Sequence, residues 1–465
     1  MMDPNLLAVL ARYNPWLKNP ERQQEMLKDR LPKNYVDRNQ SLALDRACLV
    51  VGPRQAGKTT WILHELSKVT PPVLLMNCEE PIIRELCRSP AEALNALEGL
   101  LREDTVFYLE EIQRLENAPL FIKGLVDLEP TRKIVATGSA SFQFGSKVRE
   151  SLAGRVHRVR LLPFSLAEVT SPRRNSSNHE LERSSLNKHK IIEPDVADVA
   201  DVAFVPPVNP KTTPAIQDNV RRSAWERLIV YGGYPQSWFS QNPSKVLHEL
   251  VEAFALRDIS DLVTIDHPRS FRKLLELSSA SVGSLINISE WAALAEIART
   301  TVSRYLDIAA EAHLLRLVPP FAGGKRAEIL GRSKIFMLDN GIRNTMFGGF
   351  GPPTKRSDTG ALWENAVYTE ILKSCDLLDE VFFWRTKNGA EVDMVLRRRG
   401  EIAGIEVKAG VFKKPKLSRA MRSFIDAYKP ELFCVVNASL NTRLEVDGTP
   451  VFFVRPWELA ELLKK

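Results

Sequence analysis

The stretch VVGPRQAGKTTWILHEL (residues 50–66) connects two segments with different hydrophobic patterns. The apolar run ACLVV that leads into it is typical of a buried strand, whereas its second half repeats apolar residues at helical spacing. Between the two, Gly52, four further residues and the triplet Gly57-Lys58-Thr59 fit the pattern G-x-x-x-x-G-K-[ST]. A strand, a glycine-rich loop and a helix in this order indicate an α/β fold with a phosphate-binding loop.

The residue types in this loop suit a bound nucleoside triphosphate. Glycines let backbone N–H groups close around phosphate oxygens, and the N-terminus of the following helix adds partial positive charge. Lys58 can reach the β- and γ-phosphates, and the Thr59 hydroxyl can ligate Mg²⁺. We therefore predict ATP and Mg²⁺ as cofactors. The predicted nucleotide contacts in the loop are Gly52, Pro53, Arg54, Gln55, Ala56, Gly57, Lys58, Thr59 and Thr60.

The stretch TVFYLEEIQRL (residues 105–115) is an apolar strand that ends in two adjacent carboxylates, Glu110 and Glu111. Hydrolysis of a Mg²⁺-bound nucleotide uses one carboxylate to hold the metal, usually through water, and a second to orient and deprotonate the attacking water. We assign the metal role to Glu110, together with Thr59, and the catalytic role to Glu111. Aspartate is the usual residue at the first position, and the additional methylene of Glu110 is expected to shift the metal and slow hydrolysis.

The strand KIVATGSAS (residues 133–141) is expected to lie between the loop and the carboxylates. Its polar end carries Thr137 and Ser139, either of which could sense the γ-phosphate or hold the attacking water. An ordinary turn after a strand explains these residues equally well.

The stretch SLAGRVHRVRLLPFSLAEV adds three arginines, Arg155, Arg158 and Arg160. In such enzymes an arginine, often from a neighbouring subunit, stabilises the charge that develops in the transition state. Arg155 is the first choice because Gly154 precedes it in a loop-like segment, and this role implies self-association. For each arginine taken singly, an ordinary surface position is at least as good an explanation.

Composition narrows the class of protein. The chain has 465 residues, a net charge of +7 and a pI of about 9.0, which is compatible with a nucleic-acid partner. Its five cysteines show no C-x-x-C spacing, which favours a reducing cytoplasm and argues against a zinc site. No apolar run approaches the roughly 18 residues of a membrane span, so no membrane partner is expected.

Residues 171–220 interrupt the globular pattern. This stretch is polar, contains the microrepeat DVADVADVA and ends in a cluster of prolines. Because it cannot bury enough apolar surface to offset the entropy of an ordered chain, we predict a mobile insertion. A partner-binding arm is the alternative.

The stretch NISEWAALAEIARTTVSRYLDIAAEAHLLRLV (residues 287–318) predicts two short helices joined by a tight turn, a helix-turn-helix. Ser289 is the expected N-cap of the first helix. The second helix exposes side chains suited to DNA, and a hairpin wing could follow it. Many such modules contact protein instead, and the second helix also carries acidic residues, so both partners stay open. The helix side chains are Thr300, Thr301, Ser303 and Arg304, and the wing side chains are Lys325, Arg326, Arg332 and Lys334.

The stretch FFWRTKNGAEVDMVLRRRGEIAGIEVKAG (residues 382–410) predicts strands separated by turns. Alternate side chains of a strand share a face, so Asp393, Glu406 and Lys408 converge if the last two strands pair. Two carboxylates can hold Mg²⁺ or Mn²⁺, and a lysine can steady the water or the charge at phosphorus, as phosphodiester cleavage requires. Glu364, on an upstream amphipathic helix, could complete the site.

Basic residues flank this motif, as expected for a polyanionic substrate. The alternative is an inactive scaffold whose charges form an ordinary solvated surface. The flanking residues are Arg397, Arg398, Arg399, Lys408, Lys413, Lys414, Lys416, Arg419 and Arg422.

Taken in order, GPRQAGKTT, FYLEEIQ, ATGSAS, LAGRVHRVRLLPFSLAE and YGGYPQ resemble the motifs of a large group of prokaryotic AAA-type ATPases. In that group a winged helix and a restriction-endonuclease-like domain of poorly defined role follow the ATPase. The order Glu364, Asp393, Glu406-x-Lys408 resembles the motif of the PD-(D/E)XK nuclease fold, although Val392 stands where that motif has proline. The resemblance covers nearly the whole chain.

The resemblance implies an α/β protein with a P-loop AAA+ ATPase core, a winged-helix module and a C-terminal PD-(D/E)XK endonuclease-like domain. The expected segments are the ATPase at 1–170, the insertion at 171–220, a helical connector at 221–270, the winged helix-turn-helix at 271–335 and the nuclease-like domain at 336–465.

Two functions fit these expectations. One is an ATPase that couples its nucleotide state to DNA binding and to metal-dependent phosphodiester cleavage. The other is a nucleotide-driven binding switch for DNA or a protein partner, with an inactive nuclease-like scaffold. A solute or nucleotide kinase would leave the winged helix and the basic C-terminal domain unexplained.

Overall fold

The computed structural model describes residues 3–138, 155–171, 213–253, 265–322, 331–376 and 378–463. The chain divides into two compact units, Met1–Pro163 with Glu311–His313, and Phe164–Ala310 with Leu314–Lys465. The boundaries predicted at residues 220, 270 and 335 fall within the second unit and stay predictions. Among the described residues no helix is both long enough and apolar enough to cross a lipid bilayer.

A five-stranded parallel sheet forms the centre of the first unit. Its strands are β1 (Ala47–Val51), β2 (Val73–Asn77), β3 (Val106–Glu110), β4 (Ile134–Gly138) and β5 (Val156–Arg160). Their order in the sheet is β2-β3-β4-β1-β5. Strand β1 is the run ACLVV expected from the sequence, and all five of its residues are buried. A strand that is buried on both faces has a continuous apolar sequence, which is why this one is recognisable.

Helices cover both faces of this sheet. They are α1 (Pro4–Tyr13), α2 (Gln23–Lys28), α3 (Lys58–Leu66), α4 (Pro81–Leu86), α5 (Pro90–Leu97) and α6 (Ala118–Leu128). Alternate residues of β1 enter two separate cores, Leu49 with Phe107 on one face and Val50 with Trp61 on the other. Because all five strands are parallel, their carboxyl ends meet at one edge, where β1 and β3 end at Val51 and Glu110.

The second unit begins with a helical part. Its helices are α7 (Leu166–Thr170), α8 (Pro214–Tyr231), α9 (Pro235–Phe239), α10 (Pro243–Leu250), α11 (Pro268–Ala280), α12 (Ile288–Ala295), α13 (Arg299–Glu311), α14 (Asn340–Met346) and α15 (Thr359–Ser374). Two short antiparallel strands, β6 (Leu315–Val318) and β7 (Lys334–Met337), follow α13.

A six-stranded mixed sheet completes the second unit. Its strands are β8 (Glu380–Arg385), β9 (Glu391–Arg398), β10 (Glu401–Lys408), β11 (Leu432–Asn437), β12 (Thr442–Val446) and β13 (Thr449–Val454), in the order β12-β13-β11-β10-β9-β8. The helices α16 (Arg419–Tyr428) and α17 (Pro456–Leu462) accompany it. Aromatic side chains fill its core, with Phe424 of α16 buried against Trp384 and Phe433. The fold is therefore mixed α/β in both units.

The two predicted helices of the helix-turn-helix segment are present as α12 and α13. The expected N-cap Ser289 is wrong, because Asn287 precedes the first turn and its side chain accepts from the Glu290 backbone N–H. Thr300, Ser303 and Arg304 are exposed on α13, and Arg304 forms an ion pair with Asp266 at 2.8 Å. Classification of α12, α13, β6 and β7 as a winged helix stays a prediction.

The residues predicted to lie on the wing differ in position and contacts. Lys325 and Arg326 lie outside the described residues. Arg332 donates from Nε and Nη2 to the Ile286 carbonyl. The expectation that Lys334 is exposed for DNA is wrong: only 2% of its surface is accessible.

The predicted insertion at 171–220 is shorter at its C-terminal end than expected. Residues 172–212 lie outside the described part, and helix α8 begins at Pro214 with Thr213 at its N-cap position. A proline in the first helical turn is well tolerated because its missing N–H would have no helical partner there. The last member of the proline cluster therefore starts a helix and does not belong to a linker.

Candidate functional sites

The phosphate-binding loop leaves the carboxyl end of β1 and enters α3. A Cβ on Gly52 would lie 2.0 Å from the Leu161 carbonyl oxygen, so only glycine fits between these backbones. Gly57 is the N-cap residue of α3 and adopts φ 90°, a conformation that side chains disfavour. The loop is thus held by backbone geometry next to a helix N-terminus, which is suited to an anion.

Lys58 is folded back onto this loop. Its Nζ donates to the carbonyl oxygens of Gly52 and Pro53, each at 2.9 Å. Burial lowers the pKa of Lys58 to about 8, and the nearby carboxylate of Glu111 opposes part of this effect. The ammonium therefore sits in a place where added negative charge would stabilise it.

Thr59 and Glu110 are brought together from α3 and β3. The Thr59 hydroxyl donates to Glu110 Oε1 at 2.6 Å. Burial raises the pKa of Glu110, while this hydrogen bond opposes the increase. Oxygen donors of these two types, next to a buried lysine, fit a magnesium ion that accompanies a triphosphate.

Glu111 follows β3 in a left-handed conformation, with φ 55°. Its backbone N–H donates to Thr137 Oγ1 at 3.1 Å, and its carboxylate accepts from the Gln113 side chain. Strand β4, which carries Thr137, lies between β1 and β3 as expected. Ser139 lies outside the described residues. Glu111 is thus positioned at the same sheet edge as the loop, and its catalytic role stays a prediction.

Arg155 lies away from that edge. It directly precedes β5, which runs parallel to β1 with Val156 opposite Ala47 and Arg160 opposite Val51. Arg155 is therefore at the amino end of the sheet, about 16 Å along the strand from the loop edge. Its Nε pairs with Asp127 Oδ1 at 2.9 Å. This placement does not favour a contact with the nucleotide of the same subunit, and a contact with a neighbouring subunit stays a prediction.

Arg38 is a loop contact that sequence analysis missed. Its Nη1 donates to the Ala56 carbonyl at 3.1 Å, and its Nη2 donates to the Leu162 carbonyl. Arg38 thus ties the loop to the segment that follows β5. No local pattern marks this arginine, because its partners lie far along the chain.

The second candidate site is a charged cluster on the mixed sheet. Strands β9 and β10 are antiparallel, and their register pairs Met394 with Ile405, which sets Asp393 opposite Glu406. Asp393 Oδ2 accepts from the Val407 backbone N–H at 2.7 Å. The expected pairing of these strands is confirmed, and the two carboxylates lie on one face.

Lys408 and Glu364 belong to the same cluster. Lys408 Nζ donates to Glu406 Oε1 at 2.6 Å. Glu364, on α15, contacts Lys334 Nζ at 3.1 Å, and Lys334 also contacts Glu391 at 2.5 Å. Sequence analysis does not assign Lys334 and Glu391 to this site, since it places Lys334 on an exposed wing.

Burial disfavours the charged form of the carboxylates in this cluster. It raises the pKa of Glu364 to about 8 and that of Glu406 to about 7, and the charge of Asp393 adds to both shifts. Burial also raises the pKa of Asp393, although the hydrogen bond from Val407 opposes it. Glu406 Oε2 is buried and has no hydrogen-bond partner in the described structure. An unpartnered carboxylate oxygen opposite a second carboxylate fits a cation.

The described carboxylates of this cluster nevertheless do not form a complete set of metal ligands. Within the described ranges, no group of three or more His, Cys, Asp and Glu side chains has the geometry to hold a metal ion. One physical reason is Lys334, whose ammonium lies between Glu364 and Glu391. The Glu364 carboxylate, expected to complete a metal site, is thus a partner of lysine here.

The flanking basic residues fall into two groups. Arg397 pairs with Glu380 and Arg398 pairs with Asp379, so these two take part in structural contacts. Arg399 and the five basic residues after β10 are exposed. Those five are Lys413, Lys414, Lys416, Arg419 and Arg422.

Comparisons with known sequences agree with the first site. Residues 44–170 match the family described as AAA domain. Residues 222–352 and 359–455 match two families described as domains of unknown function, DUF8612 and DUF4143. Uncharacterized proteins of Mycobacterium tuberculosis and Mycobacterium bovis are each 29% identical over 393 residues, which cover 82% of this chain and 74% of theirs.

A solved structure described under katanin self-assembly is 14% identical, with a TM-score of 0.21. That match covers 38% of this chain and 59% of the other. A TM-score this low does not establish a shared fold. The family match agrees with three features of the structure: the phosphate-binding loop, the hydrogen bond between Thr59 and Glu110, and the strand order β2-β3-β4-β1-β5. We conclude that the chain contains an AAA-type ATPase domain.

Proposed function

We propose that the protein hydrolyses ATP at the loop between β1 and α3. The observation that carries this proposal is the Thr59–Glu110 hydrogen bond of 2.6 Å beside the buried Lys58. The loop amides and Lys58 would bind the β- and γ-phosphates, and Thr59 with Glu110 would hold Mg²⁺, which neutralises phosphate charge when bound.

Glu111 acts as the base in this proposal. It accepts a proton from a water molecule whose oxygen attacks the γ-phosphorus, while the bond from that phosphorus to the bridging oxygen breaks and leaves ADP and phosphate. Thr137, through its contact with the Glu111 backbone, orients this residue. Ser139 and, from a neighbouring subunit, Arg155 are the further residues we propose for the nucleotide.

Release of phosphate from ATP tests the proposal directly. We expect Lys58→Ala and Glu111→Gln to lower kcat by about a hundredfold or more, since each removes a group that acts on the transferred phosphoryl. Lys68→Ala is the matched control: this lysine lies just beyond α3, is half-exposed and pairs only with Glu65 in the described structure. Hydrolysis by Lys58→Ala at the wild-type rate would refute the assignment.

A second candidate function is metal-dependent cleavage of a DNA phosphodiester bond in the second unit. The observation that favours it is the position of Asp393 opposite Glu406, with Lys408 bonded to the latter. In this proposal Asp393 and Glu406 hold Mg²⁺ or Mn²⁺, and Lys408 stabilises the negative charge at phosphorus. The exposed basic residues after β10 and the exposed face of α13 would contact the DNA backbone.

Cleavage is tested with single- and double-stranded DNA, with Mg²⁺ or Mn²⁺ and with or without ATP. We expect strand breaks with the wild type and none with Asp393→Asn. Asp426→Asn is the control, because Asp426 is an exposed carboxylate on α16 of the same unit. Intact DNA under every condition would favour the alternative function, a nucleotide-driven binding switch. In that case Lys58→Ala would change the affinity for DNA or for a protein partner without any cleavage.

A further inference from the structure

Lys334 is a buried lysine inside the charged cluster of the second unit. It is the first residue of β7 and is 2% exposed. Its Nζ lies 2.5 Å from Glu391 Oε1 and 3.1 Å from Glu364 Oε1, and 5.4 Å from the centre of the Phe383 ring. A buried ammonium is costly unless it is paired, so these contacts are what keep it in this place.

The backbone around Lys334 fixes the position of its side chain. Lys334 pairs with Val318 in the β6–β7 ladder and forms a bridge with Leu285 on its other side. The position of the ammonium is thus fixed by a strand residue whose backbone pairs on both sides. Lys334 is therefore a buried part of the fold and not a surface side chain.

The remaining partners show which side of the cluster is already neutralised. Glu391 also contacts Arg385 Nη1 at 3.4 Å, so both Glu364 and Glu391 face protein cations. Asp393 Oδ2 accepts from the Val407 backbone N–H, and Glu406 Oε1 accepts from Lys408 Nζ. The other oxygen of Glu406 is buried without a hydrogen-bond partner among the described residues. The unsatisfied side of the cluster is therefore the side of Asp393 and Glu406.

We propose that Lys334 takes the place of one metal ion, so that this cluster binds one divalent cation, at Asp393 and Glu406, and not two. This inference rests on the proposed metal-dependent site. Lys334 is a positioning and charge-compensating residue here, and Glu364 is its partner instead of a metal ligand. Loss of the ammonium would leave Glu364 without its lysine and Glu391 with Arg385 alone, so the two carboxylates would lack one positive charge and a second cation position would open there.

The test is the number of Mn²⁺ ions bound per chain without nucleotide, counted by equilibrium dialysis with paramagnetic resonance of free Mn²⁺. We expect one ion for the wild type, none for Asp393→Asn and two for Lys334→Met. Lys334→Arg retains the positive charge and should bind one ion. Lys373→Met is the matched control, because Lys373 is also a buried lysine of this unit but pairs with Glu370 and the Phe164 carbonyl; it should bind one ion.

Glu364→Gln gives a second readout that does not depend on the folding of Lys334→Met. If Glu364 is a partner of lysine, this variant should keep one ion with little change in affinity. If Glu364 is a ligand, the site loses one ligand charge and affinity should fall by about tenfold or more, which would overturn the proposal. Two ions in the wild type, or one ion in folded Lys334→Met, would also overturn it.

These outcomes separate the inference from the function on which it rests. One ion bound without DNA cleavage would remove the proposed cleavage and leave the single-cation site. Two ions bound with cleavage would do the reverse. A wild-type protein that binds no ion would overturn both.

Discussion

At the scale of single residues, Lys58 shows how burial can tune a ligand-binding side chain. Its pKa is lowered to about 8 by burial, and phosphate charge next to the ammonium would raise it again. Between about pH 8 and that raised pKa, ATP binding should therefore take up close to one proton per chain. Calorimetric titrations in two buffers of different ionisation enthalpy measure this uptake.

The same titration gives the pH dependence of affinity. Because the protonated form of Lys58 binds the phosphates, ATP affinity should fall as pH rises above about 8. Lys58→Ala should show neither the proton uptake nor this slope, while Lys68→Ala should show both. If proton uptake persists in Lys58→Ala, a group other than Lys58 takes up the proton.

Asp358 provides a second residue-scale prediction, this time for stability. Hydrogen bonds from Arg356 and Arg343 hold the pKa of Asp358 at about 2, and Arg343 is only 1% exposed. Asp358→Ala leaves this buried guanidinium without its carboxylate, which should cost about 3 kcal/mol of unfolding free energy. The depressed pKa means that the stabilisation is present above the unfolded value of about 4 and is lost as pH falls towards 2. Thermal unfolding of both proteins from neutral pH to about pH 2 should therefore converge at the acid end.

Site residues can be identified from the sequence when they lie close together along the chain and form a recognisable pattern. Lys58 and Thr59 belong to one loop pattern, and Glu406 and Lys408 are two residues apart on one strand. Lys334 and Arg38 cannot be identified in this way because their partners are set by tertiary structure: Lys334 and Glu364 are 30 positions apart. A basic residue near a predicted wing is expected to be exposed, and nothing local indicates that a later helix covers it with a carboxylate.

At the scale of elements, the close approach of the segment after β5 to the phosphate-binding loop makes a sharp prediction. A Cβ on Gly52 would meet the Leu161 carbonyl oxygen at 2.0 Å, and neither backbone can move without disturbing the sheet. Gly52→Ala should lower the stability of the first unit by at least about 2 kcal/mol and weaken ATP binding. Gly99→Ala is its control, since a Cβ there has no atom within 4 Å. If calorimetry gives the two variants the same unfolding temperature, the predicted clash at Gly52 is contradicted.

A second element-scale prediction concerns the junction of α8, α9 and α14. Asp339 is buried and accepts from the backbone N–H groups of Gly233, Gly341 and Ile342 at 2.8, 2.8 and 3.1 Å. Asp339→Ala leaves three buried donors unsatisfied, so we expect a loss of about 3 kcal/mol or more in denaturant unfolding. Asp339→Asn retains one side-chain oxygen and should lose less. Equal losses for the two variants would show that the carbonyl-type acceptor is not what matters.

Strand positions and registers are more predictable than helix boundaries. A single short turn joins β9 and β10, and side chains alternate along both strands, so the convergence of Asp393 and Glu406 on one face can be expected from the sequence. The N-terminus of α12 cannot, because Asn287 and Ser289 are both good capping residues two positions apart. The choice between them is made by the chain that precedes the helix, not by the helix itself.

At the scale of the whole molecule, each compact unit contains the described side chains of its own candidate site. Lys58, Thr59 and Glu110 belong to the first unit, and Lys334 and Asp393 belong to the second. Chemistry at the two sites should therefore be separable. Lys58→Ala should abolish ATP hydrolysis and leave Mn²⁺ binding at Asp393 intact. Asp393→Asn should lose the bound Mn²⁺ and retain ATP hydrolysis.

This separation makes coupling between the units measurable. If the bound nucleotide controls cleavage, the rate of DNA cleavage at fixed Mn²⁺ should respond to ATP in the wild type and not in Lys58→Ala, although both proteins bind the same number of Mn²⁺ ions. A protein in which Lys58→Ala also empties the Asp393 site would contradict separable chemistry, because that residue lies in the other compact unit. Equal cleavage by both proteins with and without ATP would mean that the ATPase unit does not control the second site. The AAA domain would then act on a different step, such as the binding of a partner.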